Sequence, residues 1–485
     1  MGIDVSRGKV RAPGGWGVLV LLCLAQFMLI VDITVVQVAL PSIGTDLALG
    51  REALTWVVTA YTLCFGGLMV LGGRLADVFG ARRTLLAGLA LFTAASLLCG
   101  LSWSGATLIV GRALQGVGAA LLSPAALAVI TTVFHGERRG RALGIWAAVG
   151  GSGAALGVLL GGLLTAGPGW AWAFVVNVPV GLLVLAALPI VTPAVTPAVT
   201  PAVTPAVPGR AGRVDVPGAL LVTAATGLLV YGLVTAGEAG WGAAATLLPL
   251  AAAVLLYALF AAVERTVRAP LMRAATLARR PVISGMFLMV TATGLMLGLF
   301  FIGSLYLQHA RGFGALETGL LFLPVALAIT IGAQAGGHLL PRLGGRPVAV
   351  AAFALTAAGA AWMTLISPDT SPYVTLLPGF TLAALGIGPL FVTATTTTMA
   401  NVPPGENGVA SGVINTFHEL GGSIGVAVAS AVVAPSLTPG TAGIGGFVSG
   451  LTVCAVTAGA AALVSLRLVP PGRPSGAFVG HGHGH

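Results

Sequence analysis

The sequence predicts an all-α integral membrane protein: fourteen transmembrane helices, arranged as two six-helix bundles with a further pair between them. Three observations lead there. The 485 residues are 57% hydrophobic and only 7% charged, with a mean hydropathy of +1.01. Soluble domains carry about 25% charged residues, so this chain has too few to cover a water-facing surface. Fourteen apolar runs follow one another, each near the ~20 residues a helix needs to cross ~30 Å of hydrocarbon. Positive charge, finally, gathers on one side of those runs.

The runs cover 17–40, 54–71, 84–101, 106–133, 142–165, 172–190, 217–236, 244–263, 282–307, 316–340, 347–366, 373–398, 408–434 and 444–466. The first follows Arg7, Lys9 and Arg11, as a signal peptide would. It is longer than a signal's apolar core and contains Asp32, so it reads as a retained span. The organisation expected is an N-terminus at 1–16, a first bundle at 17–190, a linker at 191–216, the extra pair at 217–263, a loop at 264–281, a second bundle at 282–466 and a tail at 467–485. In the linker, Val191-Thr-Pro-Ala recurs at Val195, Val199 and Val203 and closes at Val207-Pro208. Proline at every fourth position forbids a regular helix and favours extended chain.

With both ends of the chain placed inside, twenty of the 23 Lys and Arg residues fall in inner segments. The outer loops hold only Arg51 and Arg311, and Arg112 lies within a span. That bias supports an even number of spans and cytoplasmic termini together. The net charge of +10 is thus accounted for by topology, and no nucleic-acid partner is expected. Cys23, Cys64, Cys99 and Cys454 all fall inside apolar runs with no Cys-x-x-Cys spacing, so neither a disulfide framework nor a zinc site is indicated. The terminal His481-Gly-His-Gly-His485 reads as a tail without a role.

Between the second and third runs stands Gly73-x-x-x-Asp77-x-x-Gly80-x-Arg82-Arg83. Its charges cannot lie in hydrocarbon, so a loop at the membrane surface is expected. Asp77 could pair with Arg82 or Arg83, or lie at a helix N-terminus. Order and position resemble the signature loop of the major facilitator superfamily. A worn copy follows at a constant offset, where Gly337, Leu339, Gly344 and Arg346 match Gly73, Leu75, Gly80 and Arg82, and Pro341 replaces the acid. Duplicated six-span halves with a site between them near the midplane are how such transporters are built.

Charges inside spans mark functional sites, because each costs about 2.5–3.5 kcal/mol at the bilayer centre on insertion scales. Histidines apart, three lie away from the ends of the runs: Asp32, Arg112 and Glu419. Asp32 would bind a proton or a cationic substrate, or hold a structural partner such as an arginine. The surrounding Val31-Asp32-Ile33-Thr34-Val35-Val36-Gln37-Val38-Ala39-Leu40-Pro41 resembles the first-span signature of the fourteen-span drug:proton antiporters within that superfamily. Arg112, in Gly111-Arg112-Ala113-Leu114-Gln115-Gly116, resembles their fourth-span motif, in which the arginine is implicated in proton transfer. A guanidinium does not itself deprotonate, so its role would be to tune or pair with a carboxyl; the alternative is snorkelling to an interface. Gly116 more simply provides close helix packing.

The fifth run, with Gly153, Gly157, Gly161 and Gly162, resembles the antiporter helix of the same family, but Val158 stands where the family has proline. The kink that proline forces would be lost. In the thirteenth run, His418-Glu419 replaces the family's usual Arg-Gln. Adjacent residues lie about 100° apart on a helix, so at most one is expected to point squarely into a pathway. The pair would form a proton or cation site, or else a structural contact between helices. Asp32 is the stronger coupling candidate, because it matches the family pattern and Glu419 does not.

The resemblance implies a secondary transporter exporting small amphipathic or cationic molecules across the cytoplasmic membrane by proton antiport, working as a monomer. A symporter or uniporter of the same fold is the alternative that Val158 keeps open. No cofactor is expected beyond the proton gradient, and no Walker-type Gly-x-x-x-x-Gly-Lys-Ser/Thr is present. No nucleophile–base pair, metal cluster or phosphate cradle suggests an enzyme.

Overall fold

A computed structural model describes residues 15–134, 136–191, 216–267, 274–403, 406–437 and 443–472. The repeated prolines of the linker and the His481–His485 tail lie outside them.

Sixteen α-helices are described, and no strand. The first half contains α1 (Gly15–Asp46), α2 (Arg51–Phe79), α3 (Ala81–Gly100), α4 (Gly105–Val133), α5 (Gly136–Ala166), the short α6 (Trp172–Val175) and α7 (Asn177–Val191). The extra pair is α8 (Val216–Ala239) and α9 (Ala244–Glu264). After the short α10 (Ala274–Leu277), the second half contains α11 (Arg280–Leu305), α12 (Ala315–Leu343), α13 (Gly345–Met363), α14 (Leu376–Met399), α15 (Asn407–Val433) and α16 (Gly445–Leu468). Thirteen stretches of the described residues are long and apolar enough to cross a membrane, α6 and α7 counting as one. The 31-residue α5 makes a fourteenth helix of spanning length.

The helices form where apolar runs meet local start and stop signals. Ser104 caps α4 by accepting a hydrogen bond from the Thr107 N–H, and Pro281 occupies the first turn of α11, where no backbone donor is needed. Glu317 reaches back to the Gly314 N–H and closes the start of α12. Outward-facing side chains are large and apolar, as hydrocarbon requires: Leu247, Leu248, Val254 and Leu255 on α9, Leu182 and Leu183 on α7.

Two boundaries differ from the sequence expectation. The surface loop expected over 72–83 is almost entirely helix. Helix α2 runs on to Phe79 and α3 begins at Ala81, with Gly80 alone between them at φ +93°. Gly344 makes the same single-residue joint between α12 and α13 at φ +86°. A left-handed backbone suits glycine, which has no Cβ to clash, and one such residue reverses a helix direction without a loop. At its far end α11 passes into one π-helical turn, Tyr306–Ala310.

In the first half, α4 packs on α2 and α3, and α1 packs on α5 and α7; in the second, α11 packs on α14 and α15, and α14 also on α12 and α13. The halves meet along α2 with α15 and α5 with α12. Helix α8 lies against both α2 and α15, and α9 packs on its other side.

Candidate functional site

Two of the three span charges come together. Asp32 of α1 forms an ion pair with Arg112 of α4, and both are sealed from solvent at 0% and 1% exposure. The other Asp32 oxygen accepts hydrogen bonds from Gln115 at 3.0 Å and Asn177 at 2.8 Å. Arg112 also donates to the Gln115 side-chain oxygen at 2.9 Å and, through Nε, to the Val57 carbonyl at 3.1 Å. The Gln115 amide donates further to Ser96 at 2.8 Å. The Tyr61 ring covers the guanidinium, its centroid 4.2 Å from Cζ. Arg112 therefore does not snorkel; it ties α4 to α1 and α2. A buried pair needs further hydrogen bonds to offset its desolvation, and Gln115, Asn177 and the Val57 carbonyl supply them here.

Asp32 does not line the cavity that lies between the halves. The face of α1 that does carries Leu29, Ile30, Ile33, Thr34 and Gln37, and Asp32 is turned away from it into the first half. Of the expectations for Asp32, the arginine partnership is present.

Between the halves lies a cavity of about 510 Å³. The first half contributes that face of α1, Thr62, Phe65 and Met69 of α2, Ser123 of α4 and Trp146 of α5. From the second come Met289, Met296 and Phe301 of α11 and Phe391 and Thr395 of α14. Helix α15 supplies Asn415, His418 and Glu419, and continues with Gly422, Ser423 and Val426. Among the described lining residues Glu419 is the sole acid, and there is no Arg or Lys.

Both His418 and Glu419 line the cavity, their side chains 3.4 Å apart. The two neighbouring positions border the cavity together because it takes a wide arc of α15. His418 also lies against the Phe391 ring, with centroids 5.8 Å apart.

The antiporter-like glycines of α5 act as a track for α1. A Cβ at Gly153 would meet Ile30 at 2.9 Å, one at Gly157 would collide with Thr34, and one at Gly161 would meet Val35 and Val38 at 3.1 Å. Ile30 and Thr34 are cavity residues, so these glycines fix the cavity wall from behind. Gly162 faces open space. The helix continues unbroken through position 158, and the Val158 side chain lies outside the described residues. Gly116 allows α4 onto α2, where a Cβ would meet Cys64 Cβ at 2.8 Å.

At one end the halves are latched. Asp77 pairs with neither Arg82 nor Arg83. It accepts hydrogen bonds from the backbone N–H groups of Gly408 at 2.7 Å and Val409 at 2.9 Å, at the N-terminus of α15. Arg139 of α5 donates to the Met399 carbonyl at 3.0 Å, at the C-terminus of α14. An anion thus meets a helix N-terminus and a cation meets a helix C-terminus, each the favoured sign. Gly73 makes the approach possible, since a Cβ there would collide with the Gly408 carbonyl. Arg82 instead donates to the Pro189 carbonyl of α7, and its copy Arg346 donates to the Val469 carbonyl after α16. In each half this arginine ties the glycine joint to the end of the last helix. Arg83 is exposed.

The chain as a whole has relatives among known proteins. Residues 22–426 match the Major Facilitator Superfamily. The chain belongs to that superfamily. Similar proteins include the puromycin resistance protein of Streptomyces alboniger, 42% identical over 87% of this chain and 82% of its own length. The cephamycin export protein of Amycolatopsis lactamdurans is 39% identical over 84% of this chain and 83% of its own. The tetracenomycin C resistance and export protein of Streptomyces glaucescens is 35% identical over 89% and 79%. Two solved superfamily structures share the fold at low identity. The proton:xylose symporter XylE has a TM-score of 0.65 at 15% identity, covering 95% of this chain and 97% of that one. The human organic anion transporter MFSD10 has a TM-score of 0.61 at 14%, covering 94% and 99%.

Formal charge in apolar runs pointed to Asp32, Arg112 and Glu419, but reasoning from charge alone passes over the uncharged amides. Gln26, Gln37, Asn177 and Asn415 are each polar within a span, and each belongs to the cluster or the cavity. The Met and Phe residues of the wall carry no comparable signal.

Proposed function

We propose that this major facilitator protein exports small amphipathic molecules across the cytoplasmic membrane in exchange for protons, as a single chain with both termini inside. The observation that carries the reading is the cavity between the halves. Its walls are aliphatic, aromatic and thioether groups with scattered hydroxyls, which hold apolar ring systems without demanding one hydrogen-bond pattern. Glu419, the one acid among its described lining residues, stands beside His418 where a bound molecule reaches it. The names of the similar proteins, for puromycin, cephamycin and tetracenomycin C, support a drug-like substrate.

Competition between a proton and a substrate at Glu419 yields exchange without a separate gate. This assigns substrate-linked proton exchange to Glu419 and His418. Asp32, held by Arg112, Gln115 and Asn177, then transmits the state of the cavity wall between α1, α4 and α7. The latch of Asp77 and Arg139 holds the end that the positive-inside bias places in the cytoplasm, so this conformation is the one closed to the cytoplasm. The test is expression in a drug-sensitive bacterium: cells carrying the protein should accumulate less puromycin and ethidium than cells carrying Glu419→Gln at equal abundance. Equal accumulation in cells with and without the wild-type protein, across a broad panel of such compounds, would remove the export reading.

A further inference from the structure

We infer that α8, which belongs to neither six-helix half, forms part of the substrate site, with Leu233 and Val234 setting the size of molecule the cavity accepts. The cavity wall is not closed by the two halves alone. Leu233 and Val234 line it, on the same cavity as Glu419. Leu233 packs in a buried apolar cluster with Val230 of its own helix and Leu420 of α15, the residue after Glu419.

The helix is held there closely. Gly67 of α2 lets α8 approach backbone to backbone, since a Cβ at Gly67 would lie 3.3 Å from the Thr223 carbonyl oxygen and 3.6 Å from Gly227 Cα. A Cβ at Gly66 would touch Val230 at 3.5 Å and Glu419 Cβ at 3.8 Å, so α2, α8 and α15 converge on the side of the acid. Trp56 of α2 stacks on Tyr231 of α8, with ring centroids 6.3 Å apart. On the outer side, the hydroxyls of Thr226 and Tyr257 bond at 2.7 Å and fasten α8 to α9.

Helix α9, by contrast, turns Leu247, Leu248, Val254 and Leu255 outward, as a lipid-facing helix does. The pair is therefore asymmetric: α9 is the shield and α8 the wall. A helix wedged between α2 and α15 closes the seam where the two halves would otherwise part toward lipid. Apolar side chains on such a wall discriminate by size, one methylene in a pocket changing selectivity by about 10–200-fold.

The location of the wall stands by itself; its role in selecting substrates rests on the export reading above, and two measurements separate them. In the full-length protein in membranes, Leu233→Cys and Val234→Cys should react with a water-soluble methanethiosulfonate reagent faster than the wild-type background, whose half-buried Cys64 sets the baseline. Leu255→Cys on α9 should not exceed that baseline. With purified protein, the ratio of dissociation constants for rhodamine 6G and ethidium should move tenfold or more against the larger dye in Leu233→Trp. It should move the other way in Leu233→Ala and Val234→Ala, while Leu255→Trp leaves it unchanged. No labelling above baseline at either position, or a ratio within twofold of wild type in every folded variant, would overturn the inference. Failure of the wild type to move either dye along a pH gradient would instead remove the export reading and leave the labelling result intact.

Discussion

Asp77, near the end of α2, accepts a hydrogen bond from the backbone N–H of Gly408, 331 residues further along the chain and in the other half of the molecule. The Val409 N–H makes a second bond to the same carboxyl group. Two hydrogen bonds from a helix N-terminus to an acid join the halves at one end and leave the cavity between them.

Removing that acceptor should therefore shift the conformational balance. Each hydrogen bond to a charged group contributes about 1.5–3 kcal/mol, so losing both corresponds to a population shift of at least roughly a hundredfold. Asp77→Ala is expected to slow export by that order while folded protein in the membrane stays constant. A cysteine pair across α2 and α15 at this end should cross-link less in the variant. Undiminished export and cross-linking would mean the latch carries no weight.

Arg139 should act on the same end by the opposite charge. Arg139→Gln removes the cation at the α14 C-terminus and is expected to give a smaller loss than Asp77→Ala, since one hydrogen bond is involved instead of two. Combined with Asp77→Ala, its effect should be less than additive, because both clamp the short connection between α14 and α15. Transport rates of the two single variants and the double variant check this.

The buried pair of Asp32 and Arg112 makes a prediction about stability. Breaking such a pair by removing one partner costs about 3–5 kcal/mol, because the other is left buried and unpaired. Arg112→Leu should thus lower the thermal stability of purified protein strongly, and Arg112→Leu with Asp32→Leu should recover much of the loss. A double variant no more stable than the single one would show that the cluster is held together by something other than this pair.

The all-helical membrane class, the approximate span count and the repeat between the halves were legible because they follow from hydropathy and from the spacing of matching residues such as Gly80 and Gly344, but the single-residue joints at those glycines were not. Nor was the length of α2. Charges at Arg74 and Asp77 look like a loop when read against hydrocarbon alone, yet a helix end emerging at the membrane surface carries them equally well. At the site, Asp32 and Glu419 look alike in sequence, each an acid in an apolar run. What separates them is the direction of the side chain about the helix axis, which depends on how α1 and α15 are rotated in their bundles. That rotation is set by long-range packing, such as Gly157 against Thr34, and no local pattern reports it.

Topology is open to a direct check. Reporter fusions placed after Arg74, Gly344 and Arg467 should all report a cytoplasmic location, as the distribution of Arg and Lys requires. A periplasmic signal at any of the three would contradict both the orientation and the fourteen-span arrangement.

Glu419, in the cavity between the halves, is the residue we propose to couple proton movement to substrate. Protein reconstituted in liposomes with an acidic lumen should accumulate ethidium along the imposed gradient. Glu419→Gln should abolish that accumulation and still bind the dye. Asp32→Asn, compared at equal folded protein, should slow transport without uncoupling it. Full gradient-driven accumulation by the Glu419→Gln protein would contradict the account, and wild-type transport indifferent to the gradient would favour a uniporter over an antiporter.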